Sequence, residues 1–309
     1  MTKKGILLCG HGSRTKSGTD AFKSLIELLK KRYSDYEVDY GFLEFNHPVY
    51  EAAVERMYQK GIREIYALPV ILFAGSHAKN DIPYEMNTIQ SYYPDLTIKM
   101  GRHIGVSSFL VELAKKRVLE TEAERSPIDR KDCCLLVVGR GTTDPDANSD
   151  VHKLACIIGE GMGFGFTTVA YSGTAYPAIP EALPRVDRLG FERVIAIPFF
   201  FFTGILLQRV IQQLNNFEGN SQYVCTAAFG TDELILQAFD ERLEEIINGT
   251  ANMNCQLCKY RKQIVGVEHC QGLEQVGHHL NVRGVLFEED EKVGEKKGLL
   301  VAFKKALGI

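Results

Sequence analysis

The feature that most constrains the fold of this chain is an internal repeat. An offset of 129 residues relates one set of glycines and prolines to a second set, and the turns around them match as well. The matched pairs are Gly10 and Gly139, Gly12 and Gly141, Pro48 and Pro177, Gly61 and Gly190, Pro69 and Pro198, and Gly75 and Gly204. Spacing and residue type recur together over this long period, so the sequence predicts two copies of one domain.

Each copy alternates strand-like apolar runs with amphipathic helical segments. The helical face that follows the first run consists of Phe22, Leu25, Ile26 and Leu29. Pro48 is expected in the first turn of the next helix. Strands are predicted at Ile6–Cys9, Val38–Phe45, Glu64–Phe73 and Leu96–Met100. This order predicts an α/β fold with two tandem doubly wound domains, each built on a mostly parallel sheet.

The predicted domains are residues 1–125, residues 126–248 and a C-terminal extension at 249–309. The charged segment Glu120–Asp132, which contains Pro127, is the expected linker between the two repeats. The extension carries cysteines and histidines and lacks the periodicity of the repeats.

Composition and charge limit the classes of binding partner that the sequence allows. The net charge of -3 gives no reason to expect a nucleic-acid partner. The longest uncharged apolar run, Val194–Leu207, contains Pro198 and is shorter than the ~20 residues that a membrane-spanning helix needs. The strand-like run begins almost at once, which leaves no room for a signal peptide. We therefore expect a cytoplasmic protein without a membrane partner.

Three residues that can bind metal follow three of the predicted strands. His11 comes after the first strand, Glu44 ends the second and His77 follows the third. Ligands of doubly wound sheets bind outside the carboxyl ends of the strands, so these side chains are expected to converge on one cleft. Two imidazoles and a carboxylate suit a divalent first-row metal, or a metal together with a proton acceptor.

The repeat helps to separate function from folding at these positions. The alternative is that a histidine at a strand end only caps a turn. At the offset of 129, however, Arg140 replaces His11, Gly173 replaces Glu44 and Leu206 replaces His77, whereas the structural glycines and prolines are kept. Residues needed for folding should occur in both copies, so this contrast favours a functional triad. We interpret His47 as a helix cap and His103 as a candidate outer contributor.

Three cysteines near the C-terminus predict a metal or iron–sulfur site. Cys255 and Cys258 form a C-x-x-C motif, and Cys270 follows. Such a site usually has four ligands. The fourth remains open between a histidine and a residue of a second subunit, which would make the protein a homodimer; the candidate histidines are His269, His278 and His279. The alternative is a surface loop with free thiols.

At these motifs the chain resembles the sirohydrochlorin cobaltochelatase family, the ATP-independent class II chelatases. The resemblance rests on "HGSR" after the first strand, on the glutamate before "NHP", and on "LFAGSH" followed by "DIP", and it covers both repeats. It implies insertion of Co²⁺ into sirohydrochlorin for cobalamin synthesis, or of Fe²⁺ for sirohaem, without ATP. By the same resemblance His11 and His77 bind the metal and accept protons, and Glu44 assists them.

The resemblance also bears on the extension and on the substrate. The long form of that family carries a C-terminal iron–sulfur motif M-x-C-x-x-C, which matches Met253, Cys255 and Cys258.

A flat macrocycle with eight carboxylates needs an apolar slot with a polar and cationic rim. The candidates for that rim are Ser13, Arg14, Ser76, Lys79, Arg102, Arg140 and Arg209. Two other functions stay open: a carrier of tetrapyrrole or metal without catalysis, and a redox or sensor protein that depends on the cysteines.

Overall fold

The computed structural model describes residues 3–253. The first repeat forms a four-stranded parallel sheet in the order β2-β1-β3-β4. Its strands are β1 (Gly5–Gly10), β2 (Glu37–Phe42), β3 (Glu64–Pro69) and β4 (Thr97–Met100). Its helices are α1 (Lys16–Arg32), α2 (Tyr50–Gln59), α3 (Ile82–Ser91) and α4 (Ser108–Ala123), and a π-helical turn, His77–Asp81, leads into α3.

The second repeat builds the same sheet, in the order β6-β5-β7-β8, again with all strands parallel. Its strands are β5 (Cys133–Gly139), β6 (Phe166–Tyr171), β7 (Arg193–Pro198) and β8 (Gln222–Cys225). Its helices are α5 (Pro145–Met162), α6 (Ile179–Asp187), α7 (Ile205–Asn215) and α8 (Glu233–Ile247). The predicted fold class, two tandem parallel-sheet α/β domains, is confirmed.

One continuous core joins the repeats. It contains side chains from β1 and β5, such as Leu8 and Val137, together with Leu113 of α4 and Phe239 of α8. Two smaller clusters cover the outer faces of the two sheets. Because the shared core holds the sheets together, the loops at their carboxyl ends keep a fixed relation across the cleft between the repeats.

Two predicted strands end earlier than expected, and this places the site on loops. β2 ends at Phe42 and β3 ends at Pro69. The helix after β2 starts at Tyr50 with Val49 as its N-cap, so the predicted placement of Pro48 in the first helical turn is wrong. The Pro48 carbonyl accepts a hydrogen bond from the Phe42 N–H (2.8 Å) and is therefore engaged with the strand end. The His47–Pro48 and Tyr176–Pro177 peptides are both cis.

The connection between the repeats is shorter than the predicted linker. α4 continues to Ala123, and Arg130 forms an ion pair with Glu122 (2.7 Å). Within residues 3–253, no helix is long and apolar enough to cross a membrane. Cys255, Cys258 and Cys270 lie outside the described residues, as do the three candidate histidines of the extension. The iron–sulfur site therefore stays a prediction.

Candidate metal centre

His11 is the first residue after β1, and its hydrogen bonding defines the state of its ring. Its Nδ1 lies 3.1 Å from the Gly12 carbonyl oxygen. A carbonyl oxygen can only accept, so Nδ1 carries the proton and Nε2 carries the lone pair. Nε2 is buried and has no hydrogen-bond partner among residues 3–253. This nitrogen is therefore available to bind a metal ion or to accept a proton.

Glu44 is brought to His11 by the loop after β2, and Gly12 allows the approach. The Glu44 N–H donates to the His11 carbonyl oxygen (2.9 Å), and Glu44 Oε2 lies 3.7 Å from His11 Nε2. Gly12 has a φ of 100°, and a Cβ atom there would lie 2.0 Å from the Glu44 carbonyl oxygen. Only glycine fits a backbone approach this close, which explains why a glycine follows His11.

His77 begins the π-helical turn and is oriented by a buried carboxylate. Its Nδ1 lies 2.7 Å from Oδ2 of Asp81, whose side chain is 0% exposed. The Asn80 amide donates to the other oxygen of Asp81 (2.7 Å). A carboxylate on one ring nitrogen fixes the orientation of an imidazole and makes the other nitrogen a better ligand. Asp81 was not among the candidates from the sequence, although its spacing of four residues from His77 is a usable signal.

These three side chains converge on one point. One ligand atom from each of His11, Glu44 and His77 lies within 4.8 Å of the others. The two imidazole centroids are 4.6 Å apart, and their planes are inclined at 77°. Within residues 3–253, this is the one group of three or more such side chains with metal-binding spacing. The nitrogen and oxygen donors suit Co²⁺ or Fe²⁺.

The environment keeps His11 neutral. Burial, the adjacent His77 and the positive charge of Arg140 together lower the pKa of His11 to about 3. Desolvation disfavours the charged imidazolium, and the two neighbouring groups oppose a further positive charge. At neutral pH the Nε2 lone pair is therefore free of a competing proton.

Two cavities meet at the histidines. The larger has a volume of about 650 Å³. Its apolar walls come mainly from the loop after β7 and the start of α7, and include Phe200, Phe201, Phe202 and Ile205. Four of the predicted rim residues line it, namely Ser13, Arg14, Arg140 and Arg209. The smaller cavity, of about 370 Å³, is lined by Ser76 and again by His11, His77 and Arg140.

Two predicted rim residues lie elsewhere. Lys79 is buried, and its ammonium lies 2.8 Å from both Asp144 and Asp146 of the second repeat. Lys79 lines neither cavity and its charge is paired with these two carboxylates, so the structure gives no support to its predicted place in the substrate rim. Arg102 forms an ion pair with Glu245 (2.8 Å) and lines neither cavity.

The other two histidines that the sequence singled out lie outside the cluster. His47 is exposed and is not a helix cap, because the N-cap of α2 is Val49. His103 is buried, with its Nε2 3.9 Å from Asp150 Oδ2. It is absent from the walls of both cavities, so the structure gives no support to its role as an outer contributor.

Comparisons with known proteins agree with this architecture. The CbiX family model matches the chain twice, at residues 5–121 and 134–246. A sirohydrochlorin cobaltochelatase of Priestia megaterium is 30% identical over 280 residues, which cover 89% of this chain and 88% of that protein. A sirohydrochlorin ferrochelatase of the same organism is 27% identical over 248 residues, which cover 80% of this chain and 92% of that protein.

Solved structures share the fold. SirB from Bacillus subtilis with Fe³⁺ has a TM-score of 0.72 at 24% identity, and the match covers 82% of this chain and 100% of that one. SirB from Bacillus subtilis subspecies spizizenii in complex with cobalt has a TM-score of 0.69 at 24% identity, with coverages of 80% and 96%. With the family model matching both repeats, the chain belongs to the CbiX family.

Proposed function

We propose that this protein inserts Co²⁺ into sirohydrochlorin without ATP. The observation that carries the proposal is the position of the His11, Glu44 and His77 cluster, which opens into an apolar cavity of about 650 Å³. A cavity of that size, with a few polar groups converging at one end, suits a large flat ligand. The two curated relatives reported above are both sirohydrochlorin chelatases, which supports the substrate.

The metal ion is a substrate that these residues would hold and then release. Neutral imidazoles bind Co²⁺ and Fe²⁺ and can replace some of the water around the ion. The lone pair on His11 Nε2 is already directed away from the Gly12 carbonyl, and Asp81 orients the ring of His77. Glu44 adds one negative charge, so the site would offset only half the charge of the ion.

Insertion also releases two protons from the macrocycle nitrogens. His11 and Glu44 are adjacent, with 3.7 Å between Nε2 and Oε2, and either can take a proton from a ring nitrogen brought close to it. His77 offers a second acceptor, and the buried Asp81 carboxylate, 2.7 Å from its Nδ1, orients the ring. In this proposal the same three side chains bind the metal and receive the protons.

The rest of the large cavity would bind the macrocycle. The phenyl rings of Phe200, Phe201 and Phe202 provide apolar surface for a flat ring system. Arg14, Arg140 and Arg209 line the same cavity, and no carboxylate among residues 3–253 forms an ion pair with any of the three. Guanidinium groups without a carboxylate partner are well suited to the carboxylates of the substrate.

We favour cobalt over iron because the match to the cobaltochelatase covers more of this chain than the match to the ferrochelatase does. The match to the cobaltochelatase covers 89% of the 309 residues, which is more than the two repeats contain. It therefore extends into the C-terminal extension. The match to the ferrochelatase is short enough to be contained in the two repeats. That relative nevertheless makes iron insertion, for sirohaem, the second candidate function.

The test is to mix anaerobically purified protein with sirohydrochlorin and either Co²⁺ or Fe²⁺, without ATP, and to follow the absorbance of the macrocycle. We expect turnover in the wild type and its loss in the His11→Ala/His77→Ala double variant. His152→Ala, at an exposed position of the second repeat, is the matched control and should keep full activity. Macrocycle binding without turnover above the uncatalysed rate would instead indicate a carrier.

A further inference from the structure

The smaller cavity has the character of an anion site. It adjoins the large cavity at His11 and His77, and Arg140 lies in the walls of both. The hydroxyl-bearing residues that line it are Ser76, Thr142, Thr143 and Thr174. None of its described lining residues is an aspartate or a glutamate. A cavity with hydroxyl groups and one guanidinium, but no carboxylate, suits a carboxylate ligand.

The loop that begins at Arg140 is held against the segment that carries His77. A Cβ atom on Gly75 would lie 3.0 Å from Thr142 Oγ1, so the two loops are in close contact there. On the other side, the buried Lys79 ammonium lies 2.8 Å from Asp144. On one loop, Gly75 and Lys79 each lie two residues from His77. On the other loop, Thr142 lies two residues and Asp144 four residues after Arg140. These contacts hold the loop that carries Arg140 beside the candidate metal centre.

The positive charge of Arg140 beside a cation-binding site has an energetic consequence. The Arg140 guanidinium has no ion pair with any carboxylate of residues 3–253. Although the Arg140 side chain is exposed to solvent, its charge opposes a divalent ion bound at His11, Glu44 and His77. A carboxylate bound to Arg140 would cancel that charge and remove the repulsion.

We propose that the smaller cavity binds one carboxylate arm of the tetrapyrrole, and that this arm strengthens metal binding by neutralising Arg140. The inference rests on the proposed function for the identity of the arm. It adds a coupling between the two substrates: the protein binds the metal weakly until the macrocycle is in place. Coupling is reciprocal, so bound metal strengthens macrocycle binding by the same factor.

The first arm of the test needs no macrocycle. The affinity of the metal-free protein for Co²⁺ is measured by calorimetry and by the visible absorption of bound Co²⁺. We expect Arg140→Gln to bind Co²⁺ about five- to tenfold more tightly than the wild type, because the repulsion is gone. Arg140→Lys keeps the charge and should resemble the wild type. Arg188→Gln removes an exposed charge outside both cavities, as a matched control, and should have no effect.

The second arm adds a copper-loaded octacarboxylate porphyrin, whose centre cannot take another metal. It should tighten Co²⁺ binding to the wild type about five- to tenfold and leave Arg140→Gln unchanged. Thr174→Val, in the wall of the smaller cavity, should weaken porphyrin binding without changing Co²⁺ affinity in its absence. Equal Co²⁺ affinities of wild type and Arg140→Gln, with and without the porphyrin, would overturn the inference.

The two proposals fail in different ways. If Arg140→Gln tightens Co²⁺ binding and abolishes the porphyrin effect, but the wild type does not insert metal into sirohydrochlorin, then the coupling holds and the chelatase function is wrong. If the wild type inserts metal but Arg140→Gln changes neither affinity, the chelatase function holds and the coupling is wrong.

Discussion

The Nδ1 atom of His77 lies 2.7 Å from Oδ2 of Asp81, one turn further along the same helical segment. Asp81 is completely buried, and it also accepts a hydrogen bond from Asn80. Because Asn80 holds the Asp81 carboxylate in place, that carboxylate fixes the orientation of the His77 ring. Asp81 is thus a positioning residue that acts through His77.

Replacing Asp81 should weaken the metal centre without removing a ligand. Asp81→Asn keeps the shape of the side chain but loses the charge that stabilises and orients His77. We expect the Co²⁺ affinity to fall roughly 10- to 100-fold, as is usual when the partner of a metal-binding histidine is changed. Calorimetry on the metal-free protein measures this, with the exposed Asp35→Asn as control. Equal affinities of Asp81→Asn and wild type would contradict the role.

Gly12 offers a test of the close approach between the His11 and Glu44 loops. Gly12→Ala puts a methyl group where the Glu44 carbonyl oxygen now lies, so the loops must separate. Gly61→Ala is a matched control, because Gly61 also has a positive φ (86°) and a Cβ atom there would meet nothing within 4 Å. Backbone strain should cost both variants about 1–2 kcal/mol of stability, and the contact with the Glu44 carbonyl oxygen adds a further loss in Gly12→Ala alone.

The two glycine variants should differ in metal binding. We expect Gly12→Ala to lose at least about tenfold in Co²⁺ affinity, since a small displacement of one ligand carries such a cost. Gly61→Ala should keep the affinity of the wild type. The same loss in both variants would mean that strain, and not the approach of the loops, is responsible.

The buried ion pairs of Lys79 should stabilise the contact between the repeats. Lys79→Met leaves Asp144, which is 0% exposed, without its cation. We expect the free energy of unfolding to fall by about 3–5 kcal/mol. The triple variant Lys79→Met/Asp144→Asn/Asp146→Asn removes the uncompensated charges and should recover part of the loss.

Urea denaturation followed by circular dichroism measures these differences. Lys16→Met breaks an exposed pair with Asp20 and should cost only about 0.3–0.5 kcal/mol. If Lys79→Met proved as mild as Lys16→Met, the cross-repeat ion pairs would not contribute as described.

The lowered pKa of His11 makes a prediction with a definite sign. The folded protein keeps His11 neutral down to a pH of about 3, whereas in the unfolded chain this histidine takes up a proton below about 6.5. The unfolded state therefore binds more protons between these values, and stability should fall as the pH falls through that window. Above a pH of about 6.5 the effect is absent.

NMR titration of the metal-free protein checks this directly. The His11 ring resonance should stay constant from about pH 8 to about pH 5. His11→Gln should also lose less stability than the wild type between pH 7 and pH 5. A His11 resonance that titrates near 6.5 would refute the prediction.

The cysteines of the C-terminal extension also lead to a prediction, which rests on the sequence and on family resemblance. Anaerobically purified protein should contain iron and acid-labile sulfide, and Cys255→Ala/Cys258→Ala should contain neither. Cys156→Ala, at an exposed position in the second repeat, is the control and should keep both. Full iron and sulfide content in the double variant would exclude these cysteines as ligands.

Much of the architecture can be read from the sequence because it depends on local patterns. The offset that relates Gly10 to Gly139 predicted two equivalent sheets, and both are present. The positions of His11, Glu44 and His77 after three strands predicted that they would meet, since parallel strands bring their carboxyl ends to one edge. Strand ends were predicted less accurately, because apolar loop residues such as Val70 and Leu72 continue the strand pattern while packing into the core.

The tertiary structure decided which charges face the site. Lys79 and Arg140 looked alike in the sequence, as basic residues near strand ends. Packing of the repeats buries Lys79 on Asp144, 65 positions away in the chain. Arg140 lies at the junction of the two cavities, and no carboxylate in the described part of the chain, residues 3–253, forms an ion pair with it. Periodicity is a property of neighbouring residues, so the sequence determined the sheets and the strand ends that carry the cluster. The pairing of charges depends on distances between segments far apart in the chain, and only the packed structure sets those distances.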